Sequence, residues 1–140
     1  MKRRKRTEIL VQGNGNLAKE LATSITTQYS CYELAAPEQG MIMVKMRESA
    51  KNSLFYLGEV LITEAKVEIA GEIGTGLLVG VDELRAKHLA IIDAAYKAQL
   101  PEVENWTPRL IAEEQKIIQD RAQQQAELFK TKVTFETMEI

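Results

Sequence analysis

Three observations predict an α+β fold, a mainly antiparallel sheet of four to five strands with two helices before it and two after. Apolar residues recur at helical spacing near the start of the chain and again beyond residue 82. Between these regions the chain alternates with period two and is divided by turns containing Pro, Gly or Asn. The turns are too short to hold the crossover segments that parallel strands require, so the strands pair antiparallel. A length of 140 residues fits a single domain, and 45% apolar with 27% charged residues is ordinary for a soluble globular protein.

Each element follows from local sequence. Thr7 can cap a short helix over "EILVQ", "GNGN" breaks it, and Asn16 caps "LAKELATSITTQ" with Leu17, Leu21 and Ile25 at helical spacing. "CYELAA" and "MIMVKMRE" read as two strands joined by "PEQG", and "AKNS" forms the next turn. "LFYLGEVLITEAKVEIAG" follows as a long β run in which Gly58 marks a bulge or a close backbone approach. "LLVGV" is a fourth, short strand. Asp82 caps a helix over 83–98 that ends before Pro101, with Gly80 letting the strand end tightly against it. Leu84, His88, Ile91, Ile92 and Ala95 share its apolar face, while Glu83, Lys87, Asp93 and Lys97 share a solvated one. Thr107 and Pro108 open a last helix reaching about Lys130, and "KVTFETM", alternating Val133, Phe135 and Thr137, closes the chain as a strand. The predicted order is α-α-β-β-β-β-α-α-β.

Charge is distributed unevenly. Residues 2–6 hold five of 18 basic residues, so the remainder carries 13 against 20 acidic ones, a net of about −7. The basic run reads as a flexible tail, residues 1–6, ahead of one domain over 7–140, with attraction to phosphate as its alternative use. An acidic body repels a nucleic-acid backbone, so nucleic acid is not expected as a partner. The segment after "MKRRKR" lacks the apolar core of a secretory signal, and no stretch approaches the roughly 20 apolar residues of a membrane span. A cytoplasmic protein without membrane contact is expected. Cys31 is the only cysteine, which excludes an internal disulfide and a thiolate metal cluster.

The stretch "GEIGTGLLVG" resembles a phosphate loop but fails its chemistry. Leu77 and Leu78 occupy the positions where a P-loop needs Lys and Ser or Thr, and the spacing after Gly76 misses the dinucleotide pattern. Gly71, Gly74 and Gly76 read instead as glycines around a tight β connection. Arg85 and His88 lie on or near the apolar face of the following helix. They are either half-buried structural groups or, with Gly80 and Asp82, contacts for a substrate or partner. No nucleophile–base pair or metal-ligand spacing appears, so no catalytic or metal-binding residue is assigned. The last helix carries a narrow apolar stripe. Ile118, Arg121 and Phe129 on this helix, with Phe135 on the closing strand, are candidates for a partner interface, the alternative being that helix and strand fold back on the sheet.

"FYLGEVLITEAKVEI", "GEIGTGLLVGVDELRAKHLAIIDA" and the terminal "VTFETM", in this order and spacing, resemble the G subunit of bacterial carbon–phosphorus lyase, the PhnG family. The resemblance implies an assisting, non-catalytic subunit that supports formation of α-D-ribose 1-methylphosphonate 5-triphosphate from ATP and methylphosphonate with release of adenine. It implies ATP as co-substrate of the assembled complex and no cofactor held by this chain alone. The implied partners are the other lyase subunits, especially the nucleosidase subunit. Two readings from other classes compete: a small nucleic-acid-binding or regulatory module using the basic run, and an independent enzyme relying on Asp and Glu alone.

Overall fold

A computed structural model describes residues 1–138, with side chains through Val133. Two helices, α1 (Arg3–Gln12) and α2 (Asn16–Thr26), precede a meander of β1 (Cys31–Arg47), β2 (Leu54–Ile69) and β3 (Glu72–Val79). Helix α3 (Glu83–Lys97), a 3-10 turn (Pro101–Asn105) and a long helix α4 (Trp106–Met138) complete the order. The α+β class and the antiparallel pairing agree with the sequence, but the described residues form three strands in the order β1-β2-β3.

Two differences account for the lower strand count. "PEQG" does not turn the chain: β1 runs through it, with register breaks between Glu33 and Ala35 and between Ala35 and Glu38. Pro37 is tolerated because β1 is an edge strand and the bulge takes up the missing donor. The terminal "KVTFETM" is the end of α4 and not a strand. After Pro108 the sequence has no Gly or Pro and is dense in Ala, Gln, Glu and Lys, so a three-residue alternation cannot stop the helix. Gly58 does mark a bulge. The register steps from Val44↔Gly58 to Lys45↔Tyr56 and leaves Leu57 unpaired.

The core lies between the sheet and α3, with α2 packed on α3 and α1 against α4. Leu21, Ile25, Val67, Ile69, Ile91 and Ile92 are fully buried there. Among the described residues no helix covers the other sheet face, and its Ile73, Leu77 and Val79 remain exposed. No helix among the described residues is long and apolar enough to cross a membrane.

The glycines of "GEIGTGLLVG" divide into two kinds. Ala70 and Gly71, with φ of 51° and 82°, form the two-residue turn joining β2 and β3, both at the positive φ of a type I′ hairpin. Gly74 and Gly76 instead sit inside β3, where α3 crosses it. A Cβ on Gly74 would lie 2.1 Å from the Ala90 carbonyl oxygen, and one on Gly76 would lie 2.0 Å from that of Ala86. The i,i+4 stripe Ala86–Ala90–Ala94, all fully buried, thus rests backbone to backbone on a strand with no side chains at the crossing. We expect Gly76→Ala to lower stability by about 3 kcal/mol in urea unfolding, the upper part of the overpacking range. Gly40→Ala, whose Cβ would meet only Ile62 Cγ1 at 3.9 Å, should change it by less than about 0.5 kcal/mol.

Candidate functional site

The first turn of α3 gathers the sequence-predicted residues Gly80, Asp82, Arg85 and His88. Gly80 adopts φ 98° and donates its N–H to the Leu61 carbonyl at 2.9 Å, closing the corner after β3. The fully buried Thr63 hydroxyl donates to the Gly80 carbonyl (2.6 Å) and accepts from the Asp82 N–H (3.3 Å). Asp82 then caps α3, its carboxylate accepting the Arg85 N–H at 3.1 Å. The Arg85 guanidinium turns away from the helix axis. It donates to the Val11 carbonyl at 3.1 Å, lies 3.5 Å from Asp82, and fills the space over Gly15. Arg85 therefore ties the end of α1 to the start of α3 and is engaged by the fold. Leu84, predicted on the apolar face, is 62% exposed, because the side chains that meet strand and helix are those of Ala86, Leu89 and Ala90. His88 is half-buried. Burial pushes its imidazole below the ordinary value, with Lys19 adding to the shift, so the ring is neutral near pH 7.

The predicted solvated position of Asp93 is overturned, since Asp93 is only 4% exposed and joins three elements. One carboxylate oxygen accepts from Arg3 (3.0 Å) and Arg6 (3.1 Å) of α1. The other accepts the Thr75 N–H of β3 (2.9 Å) and lies 3.4 Å from Lys97. Arg6 is itself buried and stacks over the Tyr96 ring at 3.7 Å, which meets Trp106 edge-on at 5.6 Å between centroids. Desolvation lowers the Arg6 pKa, while Tyr96 and Asp93 oppose the shift. Residues 3–6 accordingly open α1 and are not a free tail. Helix α1 begins at Arg3 and not at the expected Thr7 cap, because Asp93 and the Tyr96 ring give its first turn a binding site. Local spacing concealed this, since Asp93–Lys97 at i,i+4 imitates a surface pair. The signal was the apolar setting of Asp93, between Ile92 and Ala94 in "LAIIDAAY".

Helix α4 supplies the remaining candidates. Among its described side chains Trp106 and Leu110 are buried and Ile117 is partly so, while Ile118 (52%) and Phe129 (68%) are exposed. Ile118 and Arg121 line an open groove of 390 Å³ together with Lys2, Arg4 and Lys5 of the basic run. The Phe135 side chain lies outside the described residues. Among the described residues no cluster of His, Cys, Asp or Glu could hold a metal ion.

The chain matches the family model described as phosphonate metabolism protein PhnG over residues 1–139. A stretch of 63 residues, 44% of this chain, is 38% identical to the alpha-D-ribose 1-methylphosphonate 5-triphosphate synthase subunit PhnG of Rhizobium meliloti (strain 1021). That stretch spans 40% of the relative's length.

Two outcomes follow from this geometry. Arg6→Ala should cost about 3 kcal/mol in urea unfolding, the low end for breaking a buried pair, because Arg3 and Lys97 still face Asp93. His88 binds its proton less readily folded than unfolded, so the native state takes up fewer protons as pH falls through the ordinary histidine value of 6.5. Stability contributed by the neutral ring is present above that value and is lost on acidification. The stability difference between about pH 7.5 and about pH 5.5 should therefore be smaller in His88→Gln than in the parent protein.

Proposed function

The chain belongs to the phosphonate metabolism protein PhnG family, and on that premise we propose that it is an assisting subunit of a ribose 1-methylphosphonate 5-triphosphate synthase. Its task is to support formation of α-D-ribose 1-methylphosphonate 5-triphosphate from ATP and methylphosphonate, with release of adenine. It does so as one subunit of a hetero-oligomer, with the nucleosidase subunit as foremost partner. ATP is the co-substrate of that assembly, this chain holds no cofactor of its own, and the assembly works in the cytoplasm.

One observation carries this reading. The groups most suited to bind a substrate, Arg6, Asp93 and Arg85, are engaged in internal contacts, while exposed apolar residues project on the β1–β2 hairpin and on α4. A body so arranged is suited to hold partners, with Ile118, Arg121, Phe129 and Phe135 as the α4 contacts. A nucleic-acid role for the basic run finds less support, because Arg3 and Arg6 face Asp93 and Lys5 lies 3.4 Å from Glu114.

Co-expression with the other phosphonate-metabolism subunits, followed by affinity purification and chromatography of adenine, tests this. The purified chain alone should release no adenine from ATP and methylphosphonate, and the assembly lacking it should turn over at least about tenfold more slowly. Steady turnover by the isolated chain, or an assembly equally active without it, would overturn the proposal.

A further inference from the structure

β3 pairs with β2 only over Ile62–Ile69, so the pairs from Met41↔Leu61 to Arg47↔Leu54 form a two-stranded arm beyond the three-stranded sheet. Residues opposite one another share a face, and successive residues alternate. With Leu57 bulged out, the register puts Ile42, Val44, Met46, Phe55 and Val60 on one face. It puts Met41, Met43, Leu54, Tyr56 and Leu61 on the other, interspersed with Lys45, Arg47 and Glu59. This second face continues the side of the sheet that α3 covers. Helix cover stops at Glu83, whose carboxylate accepts from the Gln39 amide at 3.0 Å, so it ends where the arm begins. Both faces are left in water: Met46 is 55% and Phe55 44% exposed on the first, Met43 61% and Tyr56 52% on the second. A two-stranded hairpin is marginally stable alone, and a contiguous apolar surface of this kind marks an interaction site.

We propose that the arm is a docking element that inserts into a cleft on another subunit of the same synthase. That subunit would offer apolar walls to both faces and carboxylates where the tip comes to rest. The proposal rests on the assembly reading above. Three features select this occupant. Ten apolar side chains, many of them about half exposed, offer on the order of 800 Å², the share one partner gives to a standard interface. A second copy of this chain stacked face to face would cover one face and leave the other in water. The tip, residues 45–51, holds Lys45, Arg47 and Lys51 against Glu48 alone, although the chain as a whole carries −2.

Methionine oxidation read by mass spectrometry tests both faces without altering the fold. Peroxide should oxidise Met41, Met43 and Met46 in the isolated protein, and all three should be protected at least about fivefold in the co-purified assembly. A paired experiment uses Phe55→Ser with Met46→Ser, and separately Met41→Ser with Met43→Ser. Each pair should weaken capture by the phosphonate subunits roughly 30-fold, the scale of a lost anchor, with circular dichroism and unfolding midpoint unchanged. Normal capture of both variants, or protection confined to one face, would overturn the arm proposal alone. So would an isolated protein that is dimeric and already protected, which would assign the arm to a second copy. Failure of the parent protein to co-purify would overturn the assembly reading and this proposal with it.

Discussion

The contact of β3 with α3 is the constraint on which the rest of the molecule depends. Helix and strand approach until the Ala86 and Ala90 carbonyls lie where Cβ atoms of Gly76 and Gly74 would be. An approach this close requires glycine on the strand and alanine on the helix, and it fixes the rotation of α3 about its axis. That rotation aims Asp93 at the Thr75 N–H, one residue from the crossing glycines. The carboxylate so placed becomes the anchor for Arg3 and Arg6, and through them for α1. α1 in turn lies against α4, so the orientation of the last helix traces back to two missing side chains on a strand.

The charged groups inside this frame orient elements more than they add net stability. Removing Arg6 and Asp93 from water is expensive, and their attraction roughly repays that cost. What the pair supplies is specificity. α1 has an apolar side at Ile9 and Leu10 that could slide against its neighbours, and the Arg6–Asp93 bond with the Tyr96 stack admits one register. Arg85 acts likewise at the opposite end of α1, through the Val11 carbonyl. The Thr63 hydroxyl holds the β3–α3 corner from beneath. These polar groups, which in isolation resemble parts of a binding site, are thus consumed in holding helices to strands.

The elements that leave this frame carry the apolar surface it cannot bury. α4 has 33 residues, which at 1.5 Å each is about 50 Å, and among the described side chains only those of its first turns are covered. The β1–β2 arm leaves the sheet where β3 ends, and its side chains find no third layer. A small domain can bury only part of its surface. In a chain whose proposed role is to hold subunits together, much of the unburied apolar surface lies on these two projections. The sheet face bearing Ile73, Leu77 and Val79, open among the described residues, adjoins the base of the arm.

Local sequence by itself determined the helices α2 and α3, the Asp82 cap, the bulge at Gly58 and the antiparallel meander. Each rests on interactions within a few residues or between neighbouring strands. The motif order was also legible, because it survives in the linear sequence whatever the packing. Tertiary structure decided the rest. Whether Gly74 and Gly76 turn the chain or admit a helix depends on α3, and the sequence around them does not record that crossing. Asp93 and the basic run look solvated until α1 is brought against α3, since a charge is classified by its distant neighbours and not by its adjacent ones. The terminal "KVTFETM" has the alternation of a strand, but it continues a run of good helix formers without a breaker. The hydrogen bonds available within α4 therefore keep those residues helical.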